Sequence, residues 1–215
     1  MVITDLHSYE PAKGHGLKHD PFNAIIAPRP IGWISSKGAS GNINLAPYSY
    51  FNAVASVPPI LAFSSNSWKD TVRNVRETGE FVWNLATMPL ARQMNISSAH
   101  VPPDISEFDT AGLTPVQSSK VSVPRVGESP AVMECKLIEE LRFGEGGKRS
   151  IVLGEVLRFH IRDEVLTPRG HVDLDAMKPV GRLAGSGYIR LSDRFDMKRV
   201  SHADWQARKR NGSGP

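Results

Sequence analysis

A mainly β chain, folded as an antiparallel barrel or sandwich with a few inserted helices, is what this sequence predicts, and three observations carry the prediction. Apolar side chains recur with period two, or in runs too short to be helices. Two long strand-like segments flank GEGGK, whose glycines supply the positive φ that a tight reversal needs. Only two segments have helical spacing of any strength, so helices punctuate the strands instead of alternating with them.

The strand-like runs are IGWIS (31–35), ILAFSS (60–65), FVWNLA (81–86), AVMECKLIEELRF (131–143) and RSIVLGEVLRFHI (149–161). In the fourth, Met133, Cys135, Leu137, Leu141 and Phe143 share one face, and Glu134, Lys136, Glu140 and Arg142 share the other. That is the pattern of a half-buried antiparallel strand. GEGGK (144–148) has neither the GK[ST] ending nor the following helix of a phosphate loop, so it reads as a hairpin turn. WKDTVRNVRETG (68–79) puts Thr71, Val72, Val75 and Thr78 on one helical face, with Gly79 as a stop and Ser65 and Ser67 as candidate N-caps. PLARQMNISSA (89–99) opens on Pro89 at a first-turn position. Residues 100–130, rich in proline and polar side chains, are expected to form a long excursion. Pro47 is expected to interrupt regular pairing in NLAPYSYFN. No repeat and no second core is visible, which divides the chain into a leader (1–19), one domain (20–195) and a basic tail (196–215).

With 215 residues, 40% hydrophobic and 22% charged, the chain can bury one sizeable core. It has no long apolar run, and MVITDLHSYE lacks the basic-then-apolar order of a signal peptide. A soluble, cytoplasmic protein without a membrane partner is therefore expected. Cys135 stands alone, which excludes an intrachain disulfide and a thiolate cluster, and its alternation with apolar residues predicts a buried, inert thiol. The net charge of +4 resides in the tail, where Lys198, Arg199, Arg208, Lys209 and Arg210 face the single acid Asp204. A short basic end of this kind reads as a solvated terminus, so no nucleic-acid partner is expected. His7, His15 and His19 lie in the leader without a carboxylate pattern beside them, so no metal site is predicted.

Two stretches suggest chemistry. In SSNSWKDT a helix begins directly after a strand, and its unpaired N–H groups would be joined by the hydroxyls of Ser64, Ser65, Ser67 and Thr71 and by the charge of Lys69. Together these suit a phosphate monoester, although serine capping and an exposed lysine would produce the same residues. NINLAPYSYFNAVASVPPILAFSS (42–65) is nearly uncharged yet polar, and mixes small residues with Tyr48, Tyr50 and Phe51. A planar heterocycle fits such a surface, and so does a strand whose aromatics fill a core.

RPIGWISSKGASGNINLAPYSYFNAVASVPPILAFSS, KDTVRN and TGEFVWNLA, followed by FDTAGLTPV, ESPAVMECKL, GEVLRFHI, DEVL and VDLDAMKPVGRLAGSGY, resemble the flavin reductase-like, FMN-binding split-barrel family. That family includes flavoredoxin and the reductase partners of two-component flavin monooxygenases. The resemblance spans roughly residues 20–195. It implies an antiparallel FMN-binding split β-barrel, a homodimer with FMN near the subunit interface, and no separate nicotinamide domain. By position it implies that Ser35, Ser36, Asn44, Leu45, Ala46, Pro47, Tyr48 and Ser49 contact the isoalloxazine and ribityl chain. Ser64, Ser65, Lys69 and Thr71 would hold the phosphate, with Asp70 orienting Lys69 or capping the helix. His160 is a candidate for stabilising reduced flavin or placing a substrate, beside a purely structural role. GRLAGSGY (181–188) is not a dinucleotide fingerprint, because Gly181, Gly185 and Gly187 have the wrong spacing and no strand-turn-helix surrounds them.

The function implied is an NAD(P)H-dependent flavin reductase, with hydride passing from nicotinamide C4 to flavin N5 and reduced flavin or electrons passing to a monooxygenase or another acceptor protein. The alternatives are an FMN electron-transfer protein of the flavoredoxin kind and a barrel that binds a phosphorylated ligand other than flavin.

Overall fold

The computed structural model describes residues 6–191 and 193–210. The first five residues of the leader, the tail end 211–215 and the side chains of Arg208, Lys209 and Arg210 lie outside that description. The strands are β1 (Gly32–Lys37), β2 (Ile43–Tyr48), β3 (Phe51–Ser56), β4 (Pro59–Ser65), β5 (Glu80–Asn84), β6 (Pro115–Val116), β7 (Arg125–Val126), β8 (Ala131–Phe143), β9 (Arg149–Ile161), β10 (Val180–Arg182) and β11 (Tyr188–Arg190). The helices are α1 (Phe22–Ile25), α2 (Asp70–Thr78), α3 (Ala91–Ile96), α4 (Glu107–Ala111), α5 (Leu174–Met177) and α6 (His202–Arg210).

Seven strands form one antiparallel sheet in the order β2-β1-β5-β8-β9-β4-β3. β2 and β3 stand at its opposite ends, yet Ser49 and Tyr50 alone separate them in sequence. A linker that short spans at most about 11 Å between its flanking Cα atoms, so the two ends of the sheet have to meet. The sheet therefore curls into a barrel whose seam is not closed by a strand ladder. Across that seam Phe51 of β3 stacks on Trp83 of β5, with ring centroids 5.8 Å apart and planes 8° from parallel. A Cβ on Gly32 would meet the Phe51 ring at 2.7 Å, so β1 approaches this ring only as glycine.

Ile34, Phe63, Phe81, Trp83, Cys135 and Val152 fill one face of the curled sheet, and Val72 and Val75 of α2 pack against them. On the other face of β1 and β2, Trp33 and Leu45 join Met94 of α3 and Phe108 of α4 in a second cluster. β1 is thus covered on both sides. Gly154 of β9 has its missing side chain over Phe81, where a Cβ would come within 2.2 Å of a fully buried ring. Gly154→Ala is expected to overpack this point and cost about 1–3 kcal/mol, read as a lower Tm in thermal unfolding.

The predicted hairpin is present: Gly144, Gly146 and Gly147 adopt φ of 76°, 63° and 61° between β8 and β9. α2 ends where expected, with Gly79 left-handed at φ 72°. Two expectations are corrected. Pro47 does not interrupt pairing, since it sits opposite Trp33 in β2, an edge strand whose missing N–H disturbs no ladder. The clean alternation in 131–143 is broken by register shifts at Glu134/Cys135 and Leu137/Glu139, and Glu134 is wholly buried instead of facing solvent. Within the excursion 100–130, Phe108 is fully buried, and Ser106 caps α4 by accepting from the Phe108 N–H.

Candidate functional site

The end of β2, the end of β4 and the N-terminus of α2 come together beside the barrel. Two adjoining clefts open there, of about 430 and 290 Å3, sharing Pro47, Tyr48 and Lys69. Asn44, Ala46 and Thr71 also line the larger, and Ser49, Ser64 and Ser65 the smaller. The two stretches singled out in the sequence therefore face one site, where their hydroxyls, Pro47, Tyr48 and Lys69 are joined by Asp70, Arg73 and Glu107 in the larger cleft and by Arg29 and Arg182 in the smaller.

Local bonding leaves this site rich in donors. Lys69 occupies the N-cap position of α2 in an extended conformation, and no side chain caps the first turn. The expectation that Ser65 or Ser67 caps this helix is thus corrected: Ser65 Oγ donates to the Ser67 carbonyl at 2.7 Å instead. First-turn N–H groups without a cap favour an anion. Lys69 Nζ stands 6.0 Å from the centroid of the Tyr48 ring and has no carboxylate partner among the described residues. Asp70 does not orient it, because Asp70 pairs with Arg73 at 2.6 Å.

Tyr48 is 6% exposed, and its Oη has no hydrogen-bond partner among the described residues. Burial pushes its pKa up to about 12; the nearby Thr71 and Ser65 hydroxyls offset part of that without completing a bond to Oη. The phenol is neutral at physiological pH and offers an unused donor beside both clefts.

Other predicted residues serve the framework. Ser35 and Ser36 are fully buried. Ser35 Oγ donates to the Pro124 carbonyl at 2.7 Å, and Ser36 Oγ accepts from Asn74 Nδ2 at 3.2 Å, so neither side chain lines the clefts. Asn44 Nδ2 donates to Thr71 Oγ1 at 2.8 Å, which ties α2 to β2 while both residues stay at the cleft wall. The Leu45 side chain lies in the core, and its N–H donates to Glu107 at 3.0 Å. His160 lies elsewhere: its Nε2 is 2.5 Å from Glu134, and it lines a separate cavity of about 120 Å3 with Arg125 and Arg162.

Sequence reading missed several residues. Asn23, Arg29, Arg182 and Gly185 line the smaller cleft, supplied by the start of the domain and by hairpin β10–β11. GRLAGSGY thus reaches the site as a hairpin. Glu107 lines the larger cleft at 8% exposure, and its carboxyl is raised by burial, with Asp70 adding to the effect and the Leu45 N–H opposing it. No local pattern marked these positions, which are distant in sequence from SSNSWKDT. Among the described residues, no group of three His, Cys, Asp or Glu side chains is placed to hold a metal.

A family model for the flavin reductase like domain matches residues 26–175. An uncharacterized protein of Aquifex aeolicus is 37% identical over 179 residues, covering 81% of this chain and 90% of that protein. Component B of nitrilotriacetate monooxygenase from Bacillus cereus superposes with a TM-score of 0.83 at 33% identity, over 90% of this chain and 99% of that one. The 2-nitrobenzoate 2-nitroreductase of Pseudomonas fluorescens superposes with a TM-score of 0.77 at 31% identity, over 84% and 89% of the two chains.

Proposed function

Because this chain belongs to the flavin reductase-like family, we propose that it is an FMN-binding oxidoreductase that uses NADH or NADPH to reduce its flavin. The observation that carries the reading is the pair of clefts meeting at Lys69 and Tyr48. The smaller presents the hydroxyls of Ser64 and Ser65 and the N-cap residue Lys69 to a phosphate, and the larger, which also carries Asp70, Arg73 and Glu107, has a small uncharged wall at Ala46 and Pro47 against which a planar ring can lie. Bound FMN would supply the redox chemistry, accepting at N5 a hydride from nicotinamide C4.

The chain's own work is to bind and orient. Ser64, Ser65, Lys69 and Thr71 hold the phosphate end, which anchors the ring against β2. Tyr48, kept protonated by burial, donates and never accepts a proton near neutral pH. Alignment of this kind accounts for several kcal/mol of a hydride-transfer barrier without an obligatory acid or base. Exposed apolar side chains on β3 and on the β8–β9 arm, including Val54 (57%), Ile138 (50%) and Phe159 (50%), support a homodimer. The reading also includes a cytoplasmic location, and among the described residues no helix is long and apolar enough to cross a membrane. Hydride or electrons would leave to an acceptor such as a monooxygenase partner.

The test is to load the purified protein with FMN, desalt it and add NADH, then NADPH, without oxygen. Loss of the yellow band at a catalytic rate with one donor is expected. A protein that keeps FMN but stays oxidised with both donors is instead an electron carrier, and one that never binds flavin overturns the proposal.

A further inference from the structure

We propose that Arg182, set directly against Arg29 on the hairpin β10–β11, closes the smaller cleft over the terminal phosphate of the flavin, so that this hairpin makes the protein select phosphorylated flavin. The inference rests on the flavin reading above and adds a binding element beyond residues 26–175, the stretch the family model matches.

Arg29 and Arg182 form an isolated antiparallel bridge, with Arg29 N–H donating to the Arg182 carbonyl at 2.9 Å and Arg182 N–H donating back at 2.8 Å. Residues paired in this way stand opposite one another with their side chains on the same face, and like charges so placed repel. Neither guanidinium has a carboxylate partner among the described residues. Arg29, 7% exposed, spends its donors on the carbonyls of Asn23 (2.6 Å), Ile26 (2.8 Å) and Leu183 (3.0 Å), and its Nε is buried with no partner among the described residues. Arg182 bonds the Gly187 carbonyl at 3.5 Å and the Gly185 carbonyl, and stacks on the Tyr188 ring at 4.5 Å. Both arginines line the cleft that holds Lys69, Ser64 and Ser65, and among the described residues no Asp or Glu lines it.

A cleft walled by three cations and no acid is an incomplete electrostatic unit. A phosphate dianion completes it, and arginine is the side chain whose planar fork matches phosphate oxygens. The roles divide by available donors. Arg29 is tied to backbone carbonyls, so it contributes charge and fastens the hairpin through Leu183. Arg182 sits on the hairpin's inner edge with Tyr188 as a shelf, and its remaining N–H groups are those that reach the ligand. Tyr188 is a positioning residue.

The experiment compares FMN with riboflavin, which has the same ring and ribityl chain and no phosphate. Kd values are measured by quenching of flavin fluorescence for the full chain, Arg182→Ala and Arg182→Lys. Arg182→Ala is expected to raise the Kd for FMN about tenfold, as loss of a charged hydrogen bond does, while the riboflavin Kd stays within about twofold. Arg182→Lys should recover part of the loss. Riboflavin binding serves as the control for folding of the site. If Arg182→Ala weakens both flavins alike, or leaves FMN binding unchanged, the hairpin merely packs against the cleft and the inference falls. A wild-type protein that binds neither flavin overturns the flavin reading and this inference with it, whereas one that binds both flavins equally overturns the phosphate clamp alone.

Discussion

Glu134→Ala is expected to destabilise the protein by about 3 kcal/mol and to lower Tm by roughly 6–12 °C. Glu134 is fully buried at a bulge in β8, and four donors converge on its carboxylate. These are the N–H groups of Ser119 (2.9 Å) and Lys120 (2.5 Å), the Ser119 hydroxyl (3.0 Å) and His160 Nε2 (2.5 Å). Removing the carboxylate leaves the two backbone donors unsatisfied beneath the segment it anchors. Burial by itself would raise the pKa of this acid; the bonds from His160, Ser119 and Lys120 outweigh burial and bring it down to about 2 from 4.5.

The sign of the pH dependence follows. A depressed folded-state pKa means that the unfolded chain binds the proton more tightly, so the contribution is complete above the unfolded value and is lost as pH falls from there towards 2. Wild type and Glu134→Gln should therefore differ most in urea unfolding at neutral pH and converge in acid. A gap that stays constant across that range would show that the carboxylate's charge is not what holds the segment.

Lys69→Met is expected to raise the Kd for FMN by about ten- to hundredfold, with Tm unchanged within about 1 °C. The methionine keeps an unbranched apolar stem over Tyr48 and removes only the ammonium, which has no carboxylate partner among the described residues. The loss should shrink as salt rises, since Lys69 is solvent-exposed and its charge is screened. Equal weakening of FMN and riboflavin would assign Lys69 to packing instead of phosphate binding.

The sequence alone determined what depends on neighbours along the chain. Period-two runs announced β1, β4, β5, β8 and β9, because alternation follows from the pleat itself. The glycines of GEGGK announced the hairpin, and Gly79 the end of α2, because positive φ is a local requirement. The helix start in SSNSWKDT was legible for the same reason, since the strand end, the hydroxyls, the lysine and the first turn of α2 are contiguous. Only the tertiary structure decided which polar residues line a cleft and which face the protein. Ser35, Ser36, Asn44, Ser65 and Glu134 give one sequence signal, a polar group in an apolar run. Ser35 and Ser36 lie inside because α2 and residues 119–126 cover the strands, while Asn44 and Ser65 stay at the cleft wall. Alternation tells which side chains share a face and is silent on whether the other face is covered. The meeting of β2 with β3 and of Arg29 and Arg182 with Lys69 was equally invisible, because closing a barrel joins segments through long-range packing that no local pattern encodes.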